Sequence, residues 1–124
     1  MMIEGDARRV TIYVGSKDTW HGRNLAEAIV ERCRALELAG ATLVRGIMGF
    51  GKNSRIHRAH LLGLSDDLPE RIEIVDRPGR IDEHLPALEE MVGAGLIVVE
   101  DVRVIRYRHD AEAPGGSVPG QVPE

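Results

Sequence analysis

Apolar residues in this chain fall at alternating positions in some stretches and at helical spacing in others, and the order of those stretches leaves few folds open. In residues 8–14, Val10, Ile12 and Val14 share one face, which predicts a strand. A polar turn region follows to residue 23. Asn24 suits a helix cap, and Leu25, Ala28, Ile29, Cys33 and Leu36 then recur at helical spacing. Arg32 and Arg34 flank that stripe, and Gly40 marks the expected stop. Residues 41–45 predict a second strand. Residues 71–75, preceded by Leu68-Pro69, predict a third. After a turn at 76–79, Ile81, Leu85, Leu88, Met91 and Val92 form a second helical stripe. Pro86 lies within it and predicts a kink or a loose first turn. Gly93 and Gly95 are the expected stop, and residues 96–108 yield one or two further strand segments. Strand, helix, strand, strand, helix, strand is the order of an α+β, ferredoxin-like βαββαβ sandwich, with two helices on one face of an antiparallel sheet. Residues 1–7 read as a polar lead, 8–108 as the domain, and 109–124, with prolines and glycines and few apolar residues, as a disordered tail.

Composition narrows the function. A chain of 124 residues favours one domain. With 3% aromatics, its core must come from Ile, Val, Leu and Ala, and so small a core makes oligomerisation an expectation. A formal charge of −4 argues against general nucleic-acid binding. The single cysteine, Cys33, excludes an intrachain disulfide framework and points to a reducing compartment. Its place on the helical stripe marks it as a core residue. No 18-residue apolar run and no signal-peptide pattern appears, so a cytoplasmic location without direct membrane insertion is expected.

Chemistry concentrates in residues 44–60. No Asp or Glu occurs from 41 to 64 in an otherwise acidic protein. Gly46, Gly49 and Gly51 let the backbone approach a ligand, and Lys52, Arg55 and Arg58 beside freed N–H donors make a candidate anion site. Phe50 and His57 belong to the same segment. Near the end of the last strand, Arg106 and Arg108 share one face at a period of two while Arg103 faces the other way, an arrangement that suits a polyphosphate. A solvated basic loop and a polar strand end are the purely structural alternatives. His57 and His60, in a His-x-x-His spacing, together with His21 could bind Zn²⁺ or Cu²⁺. In Trp20-His21-Gly22-Arg23, His21 also suits a turn or the lining of the same cleft. The pairs Asp66-Asp67 and Glu89-Glu90 read as caps or solvated carboxylates. No Ser-His-Asp or Cys-His arrangement stands out, so no enzymatic activity is expected.

Several of these pieces resemble the PII-like signalling proteins. Gly49-Phe50-Gly51-Lys52-Asn53 is similar to the Gly-Phe-Gly-Arg-Gln segment that opens their T-loop. Leu68-Pro69-Glu70-Arg71-Ile72-Glu73-Ile74-Val75 is similar to the strand that closes it, and Val104-Ile105-Arg106-Tyr107-Arg108 to their C-terminal strand end. Tyr13-Val14-Gly15, His21-Gly22-Arg23, Gly40-Ala41-Thr42, Arg45-Gly46, Arg55-Ile56-His57 and Asp67-Leu68-Pro69 together resemble more closely the PII-like family known as domain of unknown function number 190. Two departures stand out. Met91-Val92-Gly93-Ala94-Gly95-Leu96 replaces a glycine- and lysine-rich B-loop, and Glu70 stands where a lysine follows Leu-Pro.

The resemblance implies a homotrimer that binds a small anionic effector, with an adenine nucleotide as the candidate, in clefts between subunits. It further implies that the loop 48–67 contacts a target protein. Gly46, Gly49, Phe50, Gly51, Lys52, Arg55 and His57 would line the cleft from one subunit, and Arg106 and Arg108 from its neighbour. Two alternatives come from other classes: a divalent-metal-binding trimer using His57 and His60, and a structural partner protein with no small ligand.

Overall fold

A computed structural model describes residues 2–51, 56–58 and 67–108. Four strands form one antiparallel sheet: β1 (Met2–Gly15), β2 (Ala41–Arg45), β3 (Pro69–Asp76) and β4 (Leu96–Arg108), in the order β2-β3-β1-β4. Helices α1 (Leu25–Ala35) and α2 (Pro78–Met91) complete the βαββαβ order. The fold is therefore the ferredoxin-like sandwich expected from the sequence.

Both helices cover one face of the sheet. Val10, Ile12 and Val14 of β1 and Ile72 and Ile74 of β3 pack there against Ala26, Ala28, Ile29 and Cys33 of α1 and Ile81, Leu88 and Met91 of α2. Burying each large aliphatic side chain is worth about 1.5–3 kcal/mol. On the other face, Val44, Arg71, Tyr13 and Leu96 form a row across the sheet by register. Leu96 in that row is 55% exposed.

Several boundaries differ from the sequence reading, each for a physical reason. β1 begins at Met2, not at residue 8, because the polar lead pairs with the end of β4 and buries Ile3 and Ala7. α1 starts as expected, with the Glu27 N–H donating to Asn24 Oδ1 at 2.8 Å. It stops at Ala35, well before Gly40. Glu37 takes the left-handed conformation (φ 59°), its N–H donates to the Arg34 carbonyl, and the Leu38 N–H donates to the Cys33 carbonyl. This is a Schellman stop with glutamate where glycine is usual, and it lets Leu38 enter the core. In α2, Pro78 opens the helix and Pro86 sits at its ninth position, so the missing N–H falls mid-helix and not in the first turn. Gly95 is not a helix stop. A Cβ there would meet the Tyr13 carbonyl at 2.7 Å, so glycine lets the start of β4 lie against β1. The segment expected as a disordered tail, 109–124, lies outside the described residues.

Cys33 is 2% exposed, and burial pushes its thiol from 9.0 up to about 11. Between those values the folded chain holds a proton that the unfolded chain releases. Stability is therefore full below pH 9 and falls as pH rises toward 11. Urea unfolding at about pH 8 and about pH 10.5 should show that loss, and Cys33→Ala should reduce it.

Candidate functional site

The segment after β2 is held against the start of β3. The Gly46 N–H donates to the Pro69 carbonyl at 2.7 Å. A Cβ on Gly46 would lie 2.7 Å from Pro69 Cγ, and one on Gly49 would lie 3.0 Å from it. These two glycines thus let the backbone press onto a proline ring. Met48–Gly49 then pairs with His57–Arg58, and Ile47, Met48 and Phe50 are exposed. Gly51 faces open space. Lys52, Arg55 and His60 lie outside the described residues, and His57 is placed only by its backbone pairing. Among the described residues no cluster of three metal-ligating side chains occurs.

His21 belongs to a turn. It and Gly22 both take positive φ (48° and 79°) between the paired residues Thr19–Trp20 and Arg23–Asn24, which makes a two-residue type I′ hairpin. Its ring stacks on Trp20 with centroids 4.3 Å apart. Asp18, at the preceding turn, accepts from the Gly15 N–H at 2.8 Å.

The far ends of β1 and β4 carry the arginines. Gly5 takes φ 91°, and the register shifts there: β4 advances from Val104 to Tyr107 while β1 crosses only from Gly5 to Ile3. The extra residue lies between Val104 and Tyr107, ahead of the regular pairs Tyr107–Ile3 and Arg108–Met2, so the period of two is interrupted between Arg103 and Arg106. Arg108 stands opposite Met2. Arg106 lines a cavity of about 380 Å³ with Val104 and Tyr107. Ile3 and Val75 give this cavity apolar walls, and Thr42 and Glu73 add polar groups. The ribbon is held in place by the Tyr107 hydroxyl, which donates to the Ala39 carbonyl at 2.5 Å. Arg103 stands opposite Asp6, outside the cavity.

In the sequence Thr42, Glu73 and Val75 belong to strand motifs and carry no sign of lining a cavity. Their alternation was visible, since residues 73 and 75 face away from Ile72 and Ile74. That the β1–β4 ribbon bends over to meet them depends on long-range pairing, which no local pattern shows. Within one chain the glycine segment and Arg106 do not meet. They are separated by the length of β2, about 13 Å from Thr42 to Gly46 at roughly 3.3 Å per residue.

Gly46→Ala should cost about 1–3 kcal/mol, because the new methyl must displace Pro69, whereas Gly51→Ala should be nearly neutral. Urea denaturation of both variants checks this; equal stabilities would mean that the contact with Pro69 is slack.

Comparison with known proteins places this geometry in a family. A UPF0166 protein of Aquifex aeolicus is 35% identical over 96 residues, covering 76% of this chain and 89% of that protein. A putative PII-like signaling protein from Thermus thermophilus has a similar structure (TM-score 0.59, 22% identity), covering 82% of this chain and 91% of that one. So does CPII from Thiomonas intermedia, solved bound to ADP and bicarbonate (TM-score 0.50, 18% identity, 84% and 91% coverage). The family model for DUF190, described as an uncharacterised ACR, matches residues 7–104, and the chain belongs to that family.

Proposed function

We propose that this protein is a non-enzymatic PII-like regulator that works as a cytoplasmic homotrimer. It binds a small anion, with an adenine nucleotide as the candidate, in clefts between subunits, and it presents the loop 48–67 to a target protein. One observation carries the reading. Arg106 has no acidic partner among the described residues, yet it lines a cavity that also offers apolar walls and the Glu73 carboxylate. Such a cavity suits a planar base whose amino group can donate to Glu73, with the guanidinium directed to a phosphate. The glycine segment lies a strand length away, so a second copy is needed to bring both halves onto one ligand. The exposed row Val44, Arg71, Tyr13 and Leu96 offers a surface for that copy. The binding of ADP by CPII supports the ligand class. The 93–95 turn carries no lysine, which favours a ligand with fewer phosphates than ATP.

Light scattering should give the mass of three copies, and a monomer would remove the inter-subunit cleft. Calorimetry with ADP should show Arg106→Ala weakening binding by about 1.5–3 kcal/mol, as for hydrogen bonds to charged groups. Arg103→Ala should change little. Equal, small effects from the two variants would refute the cleft.

A further inference from the structure

A buried carboxylate joins both ends of the loop to the first helix. Glu70 Oε2 accepts from Arg45 Nε at 2.9 Å and from Arg45 Nη2 at 2.6 Å, while Oε1 accepts from Asn24 Nδ2 at 3.0 Å. The same Asn24 amide nitrogen donates to the Ser16 carbonyl at 3.2 Å, and Asn24 Oδ1 caps α1. The Glu70 side chain is 0% exposed and that of Arg45 is 56% exposed. Outside this cluster, the Ser16 N–H donates to the Leu68 carbonyl at 2.7 Å and the Leu68 N–H donates to Ser16 Oγ at 2.9 Å. The Lys17 N–H donates to Asp67 Oδ1 at 2.9 Å.

A carboxylate without solvent must keep its partners, since parting from Arg45 would strand a buried charge. We infer that Glu70 is a positioning residue that fixes the spacing between the loop's two ends. The residues up to Gly49 and from Asp67 onward then keep their places when a ligand or target engages the loop. Gly46 and Gly49 are wedged on Pro69, and Gly51 is the first glycine after β2 with open space around it. This inference rests on the proposed role of the loop 48–67, but its main readout does not require a ligand.

Hydrogen exchange on the full chain provides that readout. In Glu70→Gln, the amides of Ser16, Gly46 and Leu68 should exchange about tenfold faster while those of Ile72 and Ile74 are unchanged. Affinity for ADP should fall about tenfold. The double variant Arg45→Met/Glu70→Gln removes both charges and refills the space. It should recover the melting temperature, yet leave exchange at the loop ends fast and ADP affinity low. Unchanged exchange in Glu70→Gln would overturn the inference. So would full recovery of slow exchange in the double variant, because Glu70 would then only be compensating a charge. If Glu70→Gln fails to fold, exchange in the double variant decides. If the wild-type protein binds no ADP, the nucleotide reading fails, and exchange at the loop ends still decides the role of Glu70.

Discussion

β1 is paired along both edges and covered on one face, and the position of every other element follows from it. Its register with β3 puts Val14 opposite Glu70 and Arg8 opposite Asp76, with Val10 opposite Ile74 and Ile12 opposite Ile72 between them. A slip of one residue would turn that whole set to the open face. The same alternation that buries the isoleucines carries a carboxylate inward at each end of the row. Both are met by local donors. Asp76 accepts from the Ala39 and Arg77 N–H groups, and Glu70 accepts from Asn24 and Arg45. The helix-covered face therefore ends in two acidic ties: Asp76 holds the turn after α1, and Glu70 holds the loop after β2.

The opposite face follows a different rule. An antiparallel sheet can present one face to water, but the row across β2, β3, β1 and β4 has Val44, Tyr13 and Leu96 around a single arginine. Farther along, that face is covered by the chain's own ribbon. Gly5 and the bulge at residues 105–106 bend β1 and β4 until Tyr107 reaches Ala39. The covered part leaves a cavity, and the uncovered part leaves an apolar surface. Both lie on the side away from the helices.

Much of this was legible in the sequence because it depends on period. Alternation in β1 and β3 and the two helical stripes gave the element order, and Asn24 capped α1 as its residue type suggests. What was not legible depends on contacts between distant residues. Nothing local in 36–40 shows that burying Leu38 ends α1 before Gly40 is reached. The bulge between Val104 and Tyr107 depends on pairing with β1, at the opposite end of the sequence, and nothing local in 103–108 shows it. In the sequence Glu70 reads as the loss of a lysine from the third strand. Its burial between Arg45 and Asn24 is visible only once β2, β3 and α1 are assembled.

Among the described residues, several arginines are paired with carboxylates and Arg106 is not, and the difference bears on how an acidic chain could attract an anion. Arg8, Arg9, Arg23 and Arg45 are each committed to a carboxylate. Such pairs add little net potential at a distance, so the overall charge of −4 dominates the far field. Arg106 lines a cavity walled in part by Ile3, Val75 and Val104. Arg106 is itself exposed, so it would meet an anion at the cavity's edge and in contact with solvent. Selection would then occur at short range, through the shape of the cavity and the Glu73 carboxylate beside it. A bare anion would meet Glu73 as a repulsive neighbour, whereas an anion attached to a hydrogen-bond donor would meet it as an acceptor. Under the proposed binding role, that pairing of charges would favour a ligand with an anionic end and a donor-bearing body over inorganic phosphate.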